Sequence, residues 1–179
     1  MSKNLRNPSA QLNSFPVNQR LSVMYTAGRN LQARKTADQT VNNSAVFVND
    51  TELGIFLPTQ PKSAYYFRLV AQLAIAAAAN NIRYSFVGGD GLVLDGNLSR
   101  WYGELKLTGV APQVDPNQVS LVAAVTGGTT NAWTELVVEG VLSPEQAGYF
   151  GFQFAQNVAG ATNTTVKAGS CLMAWEISA

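Results

Sequence analysis

The longest nearly unbroken apolar stretch of the chain covers residues 64–87, and the other elements are interpreted around it. It opens on aromatic residues, contains four alanines at 76–79 and reaches the pair Asn80-Asn81. A buried alanine-rich helix and two core strands that turn at Asn80-Asn81 both fit, because periodicity alone does not separate them in so apolar a run. Alternation along a strand would place one set of side chains on one face: Tyr65, Phe67, Leu69, Ala71, Leu73 and Ile75. The opposite face would then carry Tyr66, Arg68 and Gln72.

Short apolar runs separated by turn residues recur along the rest of the chain. The predicted strands cover residues 21–26, 45–57, 100–110, 119–125, 133–142, 149–156 and 170–177. We expect a tight hairpin at Asn49-Asp50 inside 45–57, and a loop at 111–117 because Pro112 and Pro116 lie there. With strands on both sides and no helix for it to pack on, residues 64–87 are predicted to be strands.

This spacing predicts an all-β fold, an antiparallel jelly-roll β-sandwich with an extended N-terminal arm. We expect the arm to cover residues 1–37 and the sandwich domain to cover residues 38–179. The prolines, asparagines and glutamines of the first 20 residues are typical of an extended segment.

Composition argues against most kinds of active site. Histidine is absent, which removes the commonest general base and metal ligand, and the single cysteine, Cys171, excludes an internal disulfide. We expect Cys171 to be a small core residue. The segment Gly88-Gly89-Asp90-Gly91 lacks a Walker Lys-Ser/Thr, and Asp90 and Asp95 do not follow an EF-hand spacing. We therefore expect no enzyme, cofactor or metal site.

The apolar runs also bear on location. None reaches about 18 residues without a charge, and the N-terminus has no signal-peptide core. The expectation is a soluble, non-secreted protein without a membrane partner.

Charge is divided unevenly along the chain. The first 37 residues carry six basic side chains and no acidic one, whereas the remainder has six basic and eleven acidic side chains. Residues 1–37, called here the leader, are open to two interpretations. The leader is either a solvated tail that aids solubility or an arm that lies on an acidic surface of a neighbouring copy or another partner. For the second case, the candidate partner-binding residues are Arg6, Leu12, Phe15, Arg20 and Arg29. The cations are spread without interleaved aromatics, which argues against nucleic-acid binding.

Four segments resemble a known family. They are Val48 to Leu53 before an apolar strand, Tyr65 to Arg68, Asn81 to Phe86, and the closing strands from Val138-Glu139-Gly140 through 148–156 to Ala168-Gly169-Ser170. In order and spacing, residues 40–178 resemble bacteriophage virion structural proteins of the head-decoration, head-fibre and tail-associated kind. Those proteins are built on a trimeric jelly-roll like that of tumour necrosis factor. The alanine-rich segment 76–80 departs from that pattern, and the leader lies outside it.

The resemblance implies a non-enzymatic capsid decoration or cement protein, a homotrimer that binds the major capsid protein and stabilises the head. A trimer would bury aromatics such as Tyr66, Tyr149 and Phe154. The expected location is the virion surface, after synthesis in the host cytoplasm. A tail, neck or baseplate component is the alternative. A carbohydrate- or receptor-binding module is a second alternative, and it would need an exposed Trp101 or Trp133, both of which we expect to be buried.

Overall fold

The fold is described from a computed structural model, which covers residues 23–26, 28–58, 64–76, 81–107, 110–118, 125–126 and 133–177. Within these residues the chain forms no helix, and its strands pair antiparallel. The strands are β1 Val23–Thr26, β2 Gly28–Arg34, β3 Gln39–Val41, β4 Val48–Leu57, β5 Tyr65–Ile75, β6 Ile82–Gly89, β7 Val93–Leu94, β8 Arg100–Leu107, β9 Val110–Gln118, β10 Val125–Thr126, β11 Glu135–Leu142, β12 Pro144–Gln146, β13 Gly148–Gln156, β14 Thr164–Val166 and β15 Cys171–Glu176.

Two sheets form the sandwich. The large sheet has the order β1-β2-β15-β5-β11-β8-β9, with β14 beside β5 and β3 beside β14. The small sheet has the order β10-β6-β13-β4, and a short β12-β7 pair lies apart from both. The chain changes sheet from β4 to β5, from β5 to β6 and again from β11 to β13 to β15. This repeated crossing is the jelly-roll connectivity, so the predicted fold class is confirmed.

The alternation predicted for residues 65–75 is present in β5. Its odd-numbered side chains are buried, whereas Arg68, Gln72 and Ala74 are exposed. β5 and β6 do not pair with each other as a hairpin, because they lie in opposite sheets and pack face to face. The predicted turn at Asn80-Asn81 begins at residue 80, which lies outside the described residues.

Aromatic rings fill the space between the sheets. Phe67 of the large sheet makes edge-to-face contacts with Phe86 and Phe150 of the small sheet, at centroid distances of 5.4 and 5.1 Å. Each such pair adds about 0.5–1.5 kcal/mol beyond the burial of its surface. Trp101 packs on Phe86 at 5.3 Å, and Trp101 and Trp133 are both only 3 % exposed, so their predicted burial is confirmed.

The hairpin predicted at Asn49-Asp50 is wrong. β4 runs through this point as one strand, and its pairing with β13 shifts register between Gly151 and Gln153. The Oδ1 atom of Asp50 accepts hydrogen bonds from the N–H groups of Glu52 and Leu53 at 3.0 and 2.9 Å. Aspartate therefore makes the local bonds that favour turns, but here they produce an irregularity within a strand.

The loop predicted at 111–117 is also wrong, since β9 occupies that segment and pairs with β8. β9 ends the strand order of the large sheet, where prolines are tolerated because one side of the strand needs no ladder bonds. Cys171 is half-buried on the outside of β15 rather than in the core, and Phe154 is fully buried and so cannot serve a subunit contact. The predicted strand 119–125 lies outside the described residues except for Val125.

Candidate interaction surface

The side of the large sheet that faces away from the core, called here the outer face, combines apolar and charged side chains. It is formed by the alternate residues of four neighbouring strands, β15, β5, β11 and β8. Its members are Cys171, Met173, Trp175, Tyr66, Arg68, Val70, Gln72, Glu135, Val137, Glu139, Val141, Tyr102, Glu104 and Lys106. The same period-2 pattern that buries one side of these strands presents this side outward.

An apolar row crosses the outer face at one end. The rings of Tyr66 and Trp175 stack with a centroid distance of 5.6 Å. Val141 lies opposite Tyr66 in the register of β11 and β5. All three side chains are partly exposed, so the row remains accessible in a single copy of the chain.

Glu139 is the centre of a polar cluster beside this row. Its carboxylate lies 3.0 Å from Nε of Arg68 and accepts a hydrogen bond of 2.9 Å from the hydroxyl of Tyr102. That hydrogen bond raises the pKa of Tyr102, and burial followed by a hydrogen bond to Glu139 raises the pKa of Tyr66. The two tyrosines and the arginine thus all direct donors at one carboxylate.

A second charged group lies further along the same strands. Nζ of Lys106 is 3.3 Å from a carboxylate oxygen of Glu104 and 3.7 Å from one of Glu135. The amide of Gln72 donates to Glu135 at 3.1 Å. Because its charges are paired within the face, the outer face is suited to contact with protein rather than with a highly charged polymer.

The leader joins the molecule at one end of the large sheet. β2 pairs with β15, and β1 folds back on β2, so residues 23–26 and 28–34, which lie inside the segment predicted as an arm, extend the sheet next to Trp175 and Met173. Of the predicted arm residues, Arg29 lies in β2 with its backbone opposite Tyr25. Arg6, Leu12, Phe15 and Arg20 lie outside the described residues.

A buried ion pair fixes the chain directly after β2. Lys35 is 1 % exposed, and its Nζ lies 2.9 Å from Oδ2 of Asp50, whose side chain is fully buried. Glu52 lies 3.5 Å from the same ammonium. Lys35 carries one of the six positive charges of the leader, and this charge is therefore paired inside the sandwich.

Neighbouring residues strengthen this junction. Glu52 accepts hydrogen bonds from the N–H and hydroxyl of Thr36 and from the N–H of Ala37. Partial burial raises the pKa of Glu52, but these hydrogen bonds outweigh it and hold the pKa below its ordinary value. The amide of Gln39 accepts from the N–H of Thr51 and donates to the carbonyl of Asn49, as a neighbouring strand would. Sequence reasoning missed the whole junction, since no local pattern links Lys35 to a carboxylate fifteen positions away.

A pocket of about 390 Å³, called here the Tyr149 pocket, opens beside this junction on the small sheet. It is lined by Asp50, Thr51, Glu52, Gly54, Gly89, Asp90 and Tyr149. The ring of Tyr149 lies so close over Gly54 and Gly151 that a Cβ at either glycine would overlap it. Burial, and then the charges of Asp50 and Asp90, raise the pKa of Tyr149.

Other candidate chemistry finds no support in the described part of the chain. No three acidic or cysteine side chains there come together as metal ligands, and no helix there could cross a membrane. Neither Trp101 nor Trp133 is exposed enough to serve as a sugar platform.

Comparison with protein-family models finds no match to this chain. Comparison with curated proteins likewise finds none.

Proposed function

We propose that this protein is a non-enzymatic virion structural protein, a capsid decoration or cement protein that binds the outside of a phage head as a homotrimer. The outer face of the large sheet is the observation that carries the proposal. It combines accessible aromatic and aliphatic side chains with ion pairs that are already neutralised, which is the make-up of a surface that meets protein.

The proposal assigns the outer face to contacts between copies of the chain. Contacts around a threefold axis are heterologous, but side chains close to the axis meet their own equivalents in the other copies. A surface of nearly balanced charge limits repulsion there. Arg68 faces Glu139, and Lys106 faces Glu104 and Glu135. Two cations therefore meet three carboxylates, so the face carries only one excess negative charge at these positions. Burial of Tyr66, Trp175 and Val141 would supply the apolar part of the contact.

The leader is proposed to attach the trimer to the major capsid protein. The ion pairs of Lys35 with Asp50 and Glu52 fix the end of the leader to the sandwich. The leader is therefore anchored to the core and not to a loop. The resemblance of residues 40–178 to phage jelly-roll proteins supports the same assignment, because the leader lies outside the shared region. A decorating protein needs such an attachment segment in addition to its rigid body.

Deletion of residues 1–20 tests the attachment. The truncated protein is expected to lose binding to purified phage heads that lack the protein, whereas the full chain binds. Neutralising Arg6, Arg20 and Arg29 to glutamine should reduce the salt sensitivity of binding, because screening acts on exposed charges. Undiminished binding after deletion would contradict the role of the leader, and an unchanged salt response would contradict its electrostatic part.

The number of copies per virion separates decoration from the alternative of a tail, neck or baseplate component. Quantitative mass spectrometry of purified particles is expected to give a copy number comparable to that of the major capsid protein. A number comparable to that of tail proteins would move the assignment to the tail.

A further inference from the structure

The Tyr149 pocket combines an aromatic ring with uncompensated negative charge. Of the three carboxylates that line it, Asp50 and Glu52 share the ammonium of Lys35, which is buried behind them. Asp90 is exposed, and no ion pair to it is found among the described residues. Three carboxylates around the pocket and one ammonium behind them therefore leave a net charge of −2.

The floor of the pocket is shaped by glycine. Gly54 and Gly151 allow the Tyr149 ring to lie flat on the sheet, because a side chain at either position would occupy the place of the ring. The turn that carries Asp90 has φ of 54° at Asp90 and 84° at Gly91. These left-handed conformations hold the carboxylate at the rim of the pocket. The cavity is within the size range of sites that take one side chain or a small ligand.

We propose that the Tyr149 pocket binds a basic side chain, an arginine or lysine, from the leader of a second copy of this chain. A cation over an aromatic ring is attracted by the ring face, and nearby carboxylates add ion pairs and hydrogen bonds. The described body carries the negative excess and the leader carries the positive one, so the two parts of the same polypeptide are complementary in charge.

Length permits a contact between copies. The 22 residues that precede β1 could span at most roughly 73–79 Å when fully extended, which exceeds the width of a domain of this size. One basic residue in the pocket of a neighbour leaves other leader cations for a capsid, apart from the buried Lys35. The inference depends on the leader and the pocket alone and does not require that the protein come from a virion.

Zero-length crosslinking of the full chain tests the proposal. Arg6→Lys and Arg20→Lys variants keep the charge and supply an amine, as Lys3 does in the natural sequence. A carbodiimide joins such an amine only to a carboxylate that it touches. We expect peptides linking residues 1–20 to Asp90 or Glu52, and mixing isotope-labelled with unlabelled protein should place the two ends in different copies.

Two variants show whether the crosslink depends on the Tyr149 pocket. Tyr149→Leu should reduce the yield of the pocket crosslink about two- to fivefold, the range of an exposed cation–π contact. Glu145→Gln removes an exposed carboxylate outside the pocket and should leave the yield unchanged. Leader crosslinks that are absent from the pocket, spread evenly over surface carboxylates, confined to one copy or insensitive to Tyr149→Leu would overturn the proposal.

Discussion

Lys35 and Asp50 hold the most heavily buried charges among the described residues, and their pairing explains why the leader joins the sandwich where it does. Both side chains are 1 % exposed or less. Removing a charge from water costs several kcal/mol, so each is tolerated only because the other lies 2.9 Å away. The Oδ1 atom of Asp50 also accepts hydrogen bonds from the N–H groups of Glu52 and Leu53, whereas its Oδ2 atom is held by the ion pair with Lys35.

Breaking this pair on one side should be costly. Lys35→Met leaves the Asp50 carboxylate buried without a countercharge and is expected to lower the free energy of unfolding by about 3–5 kcal/mol. The double variant Lys35→Met/Asp50→Asn should recover part of this loss. Urea denaturation measures both, and a loss below about 1 kcal/mol in the single variant would contradict the buried pairing.

The lowered pKa of Glu52 predicts that acid reduces the stability of the protein. Because its pKa is lower in the folded protein than its ordinary value of 4.5, ionised Glu52 contributes stability above pH 4.5 that is lost as the pH falls through the folded value. The stability difference between the natural protein and Glu52→Gln should therefore shrink as the pH is lowered below 4.5. Denaturation at each pH measures this stability difference. A stability difference that stays constant across this range would contradict the stabilising role of ionised Glu52.

At the scale of the element, alternation proved a sound guide and turn signals were ambiguous. The period-2 pattern correctly divided β5 into a buried and an outward side, because a sheet with one side in the core requires it. Asp50 and the prolines of β9 are residue types common in turns. Asp50 instead lies at an irregularity within β4, and the prolines lie in an edge strand. Local sequence does not determine which of these outcomes occurs, since the choice depends on strands far away in the chain.

Close packing between β11 and β8 gives a prediction at this scale. Gly140 lies opposite Trp101, and a Cβ there would come within 2.3 Å of the carbonyl oxygen of Arg100 and 2.6 Å of the Trp101 Cβ. Gly140→Ala should therefore destabilise the protein by at least about 1–3 kcal/mol. Gly96→Ala is the matched control, because nothing lies within 4 Å of its Cβ position. Equal thermal melting of the two variants would show that the β11–β8 packing is wrong.

Across the whole molecule, the sandwich carries three features: the outer face, the leader junction and the Tyr149 pocket, the last two of which share Asp50 and Glu52. The period of the sequence predicted the outward side of β5. The charge of the sequence predicts an extended leader, of which residues 1–22 lie outside the described residues. The sequence did not predict which sheet would expose a mixed apolar face, because that depends on which strands become neighbours. Nor did it predict the pocket, whose lining residues come from β4, β13, the end of β6 and the turn that follows β6.

Self-association through the outer face is directly testable. The natural protein is expected to sediment at three times its chain mass of 19.1 kDa. Val141→Arg puts a charge beside Tyr66 at the proposed contact and should give single chains. Val158→Arg changes a valine that is 53 % exposed in the loop after β13 and should leave the trimer intact. A Val141→Arg protein that remains trimeric would exclude this face.

The proposed role of the protein on a phage head is tested by an electron-microscopy map of the virion that carries it. We expect threefold jelly-roll density repeated over the outer surface of the head, with the outer faces of the large sheets turned toward the threefold axis and the leaders running along the major capsid protein. Density confined to the tail, neck or baseplate, or its absence from the head, would contradict the proposed role.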